Sequence, residues 1–256
     1  MNIPFSNIKD FCKKNQIAVF MILLYFSMVG IAVFLRYCDP LFSRDSILYL
    51  CTMEMWNQHG TPEIILAQDP DWKTPLFPLF LMKLLVPLGF STATSALIVN
   101  ICASAMLPLF MFGIARELTK KIQIAVTAAL LTAFHPTILH TAVQAQRDAL
   151  YLAFLGGFLL LLFRALLRQK YALWGCAGAI FALGILTRYE TMELLPLPLL
   201  ILGWQTYTKK CTLRYFATSS GIFFCGMTAS GILAMILSDT LEITWKIYWT
   251  RFLFSL

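Results

Sequence analysis

Seven largely apolar stretches approach the roughly 20 residues that a helix needs to cross a bilayer. They are Ile17–Leu35, Ala93–Gly113, Ile122–Leu139, Ala149–Phe163, Tyr171–Leu186, Thr191–Tyr207 and Phe216–Leu237. No soluble fold hides so many such runs in 256 residues. The composition agrees: 59% of the chain is apolar, only 13% is charged, and mean hydropathy is +0.74. A soluble domain carries roughly twice that charge share. Disorder, collagen and coiled coil are excluded on the same ground. The seven cysteines include no CxxC pair, which removes a zinc ribbon and a disulfide scaffold. Inside lipid each backbone polar group must be satisfied within its own segment, so the spans are helices. The expectation is an all-α polytopic transmembrane helical bundle of about seven spans, in one domain. The first apolar run is too long for a signal peptide and no small-x-small cleavage site follows it, so it reads as an anchor.

The stretch Pro75–Phe90 is ambiguous. It holds three prolines and has Lys83 in its middle. Cytoplasmic loops carry an excess of Lys and Arg, and that rule decides whether it crosses. If it does not cross and the N-terminus is cytoplasmic, 12 of the 20 basic residues lie inside, with only Asp10 and Glu117 as acids. If it does cross, the nine basic residues of the loops after Gly113 are exported. The segment is therefore expected to be an interfacial or re-entrant helix on the outer face. This leaves a tail at 1–16, a first span at 17–35, an outer loop at 36–92, six spans within 93–237 and an outer interfacial tail at 238–256. The net charge of +7 and pI near 9.1 follow from topology signals and give no support for nucleic acid.

The long outer loop holds most of the external charge. Asp45 to Gln58 is amphipathic: Asp45, Tyr49, Thr52 and Trp56 share one stripe, while Ile47, Leu48, Cys51 and Met55 cover much of the rest. Such a helix is expected to lie half sunk in the headgroup region. Asp69 and Asp71 follow in an acidic turn before Lys73. Two further charged groups return to the same face, Arg147-Asp148 after His140, and Arg188, Glu190 and Glu193 after the fifth span. No charge lies in the middle of a span, where pumps and proton-coupled carriers commonly place theirs. The chemistry is gathered at one membrane surface.

A carboxylate such as Asp45 on a rigid interfacial helix can act as general base toward a hydroxyl or amine. A cation such as Lys73 or Arg188 can neutralise a phosphate. Nucleotide-activated donors are not expected outside the cytoplasm, so the natural donor is a lipid-linked phosphate.

Arg44-Asp45-Ser46-x-x-Tyr49 followed by Lys73-Thr74-Pro75-Leu76-x-Pro78-Leu79 resembles the start of the GT-C glycosyltransferases. The nearest branch is glycosyltransferase family 39, the protein O-mannosyltransferases and lipid A aminoarabinose transferases. His135-Pro136 before Asp148, and Leu186-Thr187-Arg188-Tyr189-Glu190, follow the same course. The resemblance implies that Asp45 is the acid that activates the acceptor and that Asp148 is a second acidic position in the same cavity. It implies that Lys73 contacts the donor phosphate, with Arg44, Tyr49, Arg188 and Glu190 around the substrate. The implied reaction is inverting sugar transfer from a polyprenyl or dolichyl phosphate to a lipid, glycan or protein acceptor. In a bacterium this places the chain in the inner membrane with its working face periplasmic. Many members have Asp-Glu where this chain has Asp45-Ser46, and Lys-Pro-Pro where it has Lys73-Thr74-Pro75. The chain corresponds to the amino-terminal half of a usual member, which leaves three readings open: a fragment, a split subunit whose partner supplies the missing half, or an inactive remnant. Some relatives use a divalent metal; Asp69, Asp71 and His140 offer ligand atoms, but their spacing fixes no site, and no cofactor is expected.

Ordinary roles stand beside these. Asp45 complements a helix dipole, Asp148 caps a helix, and Lys73 and Arg188 anchor at a membrane surface. Cys38 and Cys51 lie on the outer, oxidising side, where a bridge between them is conceivable. Two other function classes stay open. A lipid or oligosaccharide flippase requires polar groups along a groove at bilayer depth, for which Asn100 is the main candidate. A non-catalytic subunit of a glycosylation complex predicts the same topology with a dispensable Asp45.

Overall fold

A computed structural model describes residues 16–39, 42–63, 65, 76–238 and 240. These residues are mostly helical, with no strand among them. The helices are α1 (Gln16–Cys38), α2 (Arg44–His59), α3 (Phe77–Met82), α4 (Thr92–Thr119), α5 (Ile122–Ala133), α6 (Pro136–Ala142), α7 (Asp148–Arg168), α8 (Tyr171–Thr187), α9 (Pro196–Tyr207) and α10 (Leu213–Leu237). Short 3-10 turns at Val86–Leu88 and Tyr189–Leu194 precede α4 and α9.

Four helices, α1, α4, α7 and α10, are long and apolar enough to cross a membrane. α5 and α6 qualify together as one bent span, with 55° between them. The bend falls at His135-Pro136, because a proline lacks the N–H that would continue the ladder. α8 has 17 residues, about 25 Å of helix, slightly short of a hydrocarbon core near 30 Å. The sixth expected span departs most. Instead of a helix over Thr191–Tyr207, the chain makes a 3-10 turn and then α9, only 12 residues long, with Pro196 at its first position. A proline at that position preorganises a helix start, and Pro196 has no N–H to carry a helical ladder back into the preceding turn, so the chain starts a new helix there.

α4 and α7 form the centre. α4 packs against α1, α5 and α7, and α7 against α8, which lies along α10. The α8–α10 pair is held by backbone proximity. A Cβ added at Gly178 would lie 2.0 Å from the Phe223 carbonyl oxygen, and one at Gly226 would lie 2.2 Å from that of Gly175. Small residues at such positions let helices approach closely and gain dispersion contact where lipid offers no hydrophobic drive. Phe158, Phe181 and Phe223 fill the space between α7, α8 and α10. At one end of this pair the buried Trp174 donates Nε1–H to the Tyr215 hydroxyl at 2.9 Å.

α7 sets the vertical scale of the bundle. Asp148 opens it and Arg168 closes it 20 residues later, about 30 Å along the axis. The two charged ends of α7 are thus one bilayer core apart. The molecule is an integral membrane helical bundle.

Candidate active site at the Asp148 end of the bundle

α2 starts and stops where its sequence dictates. Ser43 is the N-cap, and its Oγ accepts from the Ser46 amide. Gly60 closes the helix at φ 74, with its N–H on the Trp56 carbonyl, a conformation that costs other residues more. Of the expected stripe, Tyr49, Thr52 and Trp56 are buried and Asp45 is exposed. Met53 joins Tyr49 and Trp56 in a cluster with Leu79 and Met82 of α3. Ile47 and Leu48 face outward, 52% and 54% exposed. α2 therefore turns its aromatic side to the protein and an aliphatic side to its surroundings. The proline-rich segment is also more deeply seated than a surface helix: Phe77, Pro78, Leu79 and Met82 of α3 are all buried.

Polar contacts hold α2 at both ends. At its start, the Gln144 Oε1 accepts the Ser43 amide and the Ser46 hydroxyl, each at 2.9 Å. Gln146 Nε2 donates to Ser43 Oγ at 2.7 Å. Gln144 and Gln146 are themselves fixed by Asn100 of α4, whose buried Nδ2 donates to the Gln144 carbonyl at 2.7 Å and to that of Gln146 at 2.9 Å. Near its far end, the Thr92 hydroxyl donates to Glu54 at 2.6 Å and accepts from Asn57 at 3.2 Å. Ser95 donates to the Met82 carbonyl at 2.6 Å and accepts the Leu85 amide, tying α3 to α4. Lys83 sits 4.2 Å over the Trp56 ring. Burial there pushes the Lys83 ammonium below the ordinary lysine range, and the ring face offsets part of that cost.

The Gln144–Gln146 segment leads directly into α7, so α2 begins beside the residues where α7 begins. There Arg188 Nη1 meets Asp148 Oδ1 at 3.0 Å, and Arg188 Nε lies 3.6 Å from Glu190 Oε2. The guanidinium carbon stands 5.3 Å from the Tyr151 ring centroid. The turn after α8 builds this cluster. Arg188 is extended at φ −150, its amide bonds the Gly184 carbonyl, and the buried Thr191 hydroxyl donates to the carbonyls of Arg188 and Gly184. Asp148 and Arg188 are 38% and 37% exposed, so water screens the pair and its worth to stability is well under about 1 kcal/mol. The Asp148 hydrogen bond and the nearby Glu190 carboxylate fix the orientation of the Arg188 guanidinium.

Three expected site residues, Asp148, Arg188 and Glu190, are thus brought together. Asp45 and Arg44 are exposed on α2, and their side chains make no hydrogen bond or ion pair among the described residues. Tyr49 sits in the packed core of α2. Lys73, Asp69 and Asp71 lie outside the described residues. Cys38 and Cys51 are both free thiols. The sequence reading did not pick out Gln144, Gln146 and Ser43 or the role of Tyr151. The signal was there: Gln-Ala-Gln-Arg-Asp at 144–148 is a concentrated polar run in an apolar chain. The departure at Ser46 also finds a purpose, since this hydroxyl is wholly buried on Gln144. Asn100, the flippase candidate, spends its donors on two loop carbonyls.

No curated protein and no solved structure gives a significant match to the chain. A protein family described as dolichyl-phosphate-mannose-protein mannosyltransferase does match, over residues 73–234. The match opens at Lys73 and takes in Asp148, Arg188 and Glu190, while Asp45 and α2 precede it. It covers well over half of the sequence, and it carries the apolar spans from α4 onward together with the Asp148–Arg188 junction. On this match the chain belongs to the dolichyl-phosphate-mannose-protein mannosyltransferase family of membrane glycosyltransferases.

Proposed function

We propose that the chain transfers a sugar from a polyprenyl-phosphate donor to an acceptor hydroxyl or amine, with inversion, at the end of the bundle that carries Asp45 and Asp148. The single observation that carries this reading is the hydrogen-bonded junction of Ser43 and Ser46 with Gln144 and Gln146. It supports the reading because Gln146, two positions before Asp148, bonds the N-cap of the helix whose first turn carries Asp45.

In the proposed reaction, Asp45 takes the proton of the acceptor as the acceptor oxygen or nitrogen bonds to the anomeric carbon. The bond from that carbon to the phosphate oxygen breaks, and its electron pair leaves with the polyprenyl phosphate. Arg188, with Lys73 from the outer loop, neutralises the charge that grows on the phosphate. Asp148 and Glu190 orient Arg188, and Asp148 faces the same space as a second acid. Asp45 suits a base because no cation among the described residues holds its charge. The charge pattern of the loops puts this end outside the cytoplasm, periplasmic in a bacterial envelope. The acceptor is a lipid, glycan or protein.

Membranes containing the full chain, given radiolabelled polyprenyl-phosphate mannose or the matching nucleotide sugar, test this. Label should pass to an acceptor fraction from the lipid donor alone. Transfer from the nucleotide sugar, or none from lipid donors in membranes that hold the folded chain, contradicts the proposal.

A further inference from the structure

A second charged centre lies at the opposite end of α7, where the glycosyl-transfer reading uses nothing. Glu117 of α4 is almost wholly buried, and its carboxylate is met by three cations. Lys120 Nζ stands 3.2 Å from Oε2, Arg164 Nε lies 3.1 Å from Oε1, and Arg168 Nη2 bonds Oε1 as well. A fourth cation, Arg116, is exposed and makes no ion pair among the described residues. Four positive charges thus face one negative charge.

These groups line a half-open cavity of about 600 Å³ between α1, α4 and α7, a volume typical of small-molecule sites. Its other wall is apolar, formed by Met21, Leu109, Phe112 and Leu160. Gly113 belongs to this wall, and a Cβ there would stand 2.8 Å from Leu160 Cδ1. From Lys120 to Leu109 the wall runs 11 residues along α4, about 16 Å into the bundle. The polarity follows the membrane normal, with cations at the helix ends and hydrocarbon deeper.

A soluble anion has no use for the apolar wall, and a neutral lipid has no use for the surplus cations. We propose that this cavity binds the phosphate headgroup of an anionic membrane phospholipid. Arg116 and the remaining N–H groups of Arg164 and Arg168 hold the phosphate, and an acyl chain lies along Leu109, Phe112 and Leu160. Glu117 spaces the cations and keeps the guanidinium groups in place. Basic pockets between spans on the cytoplasmic side are suited to such headgroups, and the loop charges put this end in the cytoplasm. The proposal is independent of the glycosyl-transfer reading and stands if that reading fails.

Native mass spectrometry of the detergent-solubilised full chain tests it, with phosphatidylglycerol, phosphatidylcholine and inorganic phosphate as probes. One phosphatidylglycerol should stay bound at several-fold higher occupancy than phosphatidylcholine. Arg116→Gln should weaken it about fivefold, the effect of one surface cation on an anionic lipid. Arg116→Lys should restore most of the binding. Arg116 is chosen because its loss leaves the Glu117 ion pairs intact, and unchanged circular dichroism checks the fold. Arg214→Gln, at the same membrane face outside the cavity, should change nothing. Equal binding of both phospholipids, or an equal loss in Arg214→Gln, overturns the proposal in favour of diffuse attraction. Displacement by millimolar inorganic phosphate overturns it in favour of a soluble anion, and displacement by equimolar polyprenyl phosphate in favour of the donor lipid.

Discussion

Replacing Gln144 by Ala removes the acceptor that fixes the first turn of α2. Two donors now converge on its Oε1, the Ser43 amide and the Ser46 hydroxyl, both at 2.9 Å. Their fates in the variant differ. The Ser46 hydroxyl already lies 2.9 Å from Ser43 Oγ and can share that oxygen with the Ser46 amide and Gln146 Nε2, so it loses part of its bond. The Ser43 amide has no such alternative, and a stranded donor in a part-buried site costs about 1–3 kcal/mol. Gln146 keeps its bond to Ser43 Oγ, and Thr92 still holds the far end of α2. The net cost to docking the first turn is therefore about 2 kcal/mol, which is about a 30-fold rise in its open population. Hydrogen exchange of the α2 amides reads this directly. Amides in the first two turns of α2 should exchange about 30-fold faster, while those of α8 and α10 keep their protection. Unchanged exchange in α2 would refute the tether, and equal acceleration in α8 and α10 would show a general loss of stability instead.

Other expectations follow from the same contacts. Gly178→Ala drives a Cβ into the Phe223 carbonyl and should cost at least the 1–3 kcal/mol of ordinary overpacking, read as a lowered thermal midpoint in detergent. Gly221→Ala on α10, where a Cβ meets nothing within 4 Å, should be neutral or slightly stabilising by the same assay. Asn100→Ala orphans the bonds to the Gln144 and Gln146 carbonyls and should destabilise by about 2–4 kcal/mol; a variant as stable as the parent contradicts its structural role. Arg188→Gln should raise the KM for a polyprenyl-phosphate donor at least tenfold, yet shift thermal stability by less than about 1 kcal/mol because its ion pairs are exposed.

The long spans were legible because one property, some 20 apolar residues in a row, decides them without reference to neighbours. α1, α4, α7 and α10 each satisfy it alone. α9 fell short because composition alone does not register where Pro196 can stand in a helix. The face of α2 was half legible. Periodicity grouped Tyr49, Thr52 and Trp56 correctly, yet the aromatic stripe turned inward, since α3 and α4 offered it a protein partner. The site was legible as residue types and not as connections. Arg188 and Asp148 are 40 positions apart, and Ser43 and Gln144 are 101 apart; such pairs are made by helix packing. Glu117 read as a lone acid among inside cations, and only the packing of α4 on α7 turns those charges into one cavity.

Asp45, which meets no cation among the described residues, is proposed to take the acceptor's proton, and Asp45→Asn puts that role to the test. This change keeps the size of the side chain and removes its basicity. Sugar transfer from a polyprenyl-phosphate donor should be compared in membranes holding equal amounts of the parent and the variant, with the α2 hydrogen-exchange pattern checked in both. Transfer should fall by about 10²-fold or more with exchange unchanged, the scale of a lost general base. Transfer at the parent rate in Asp45→Asn would contradict that role.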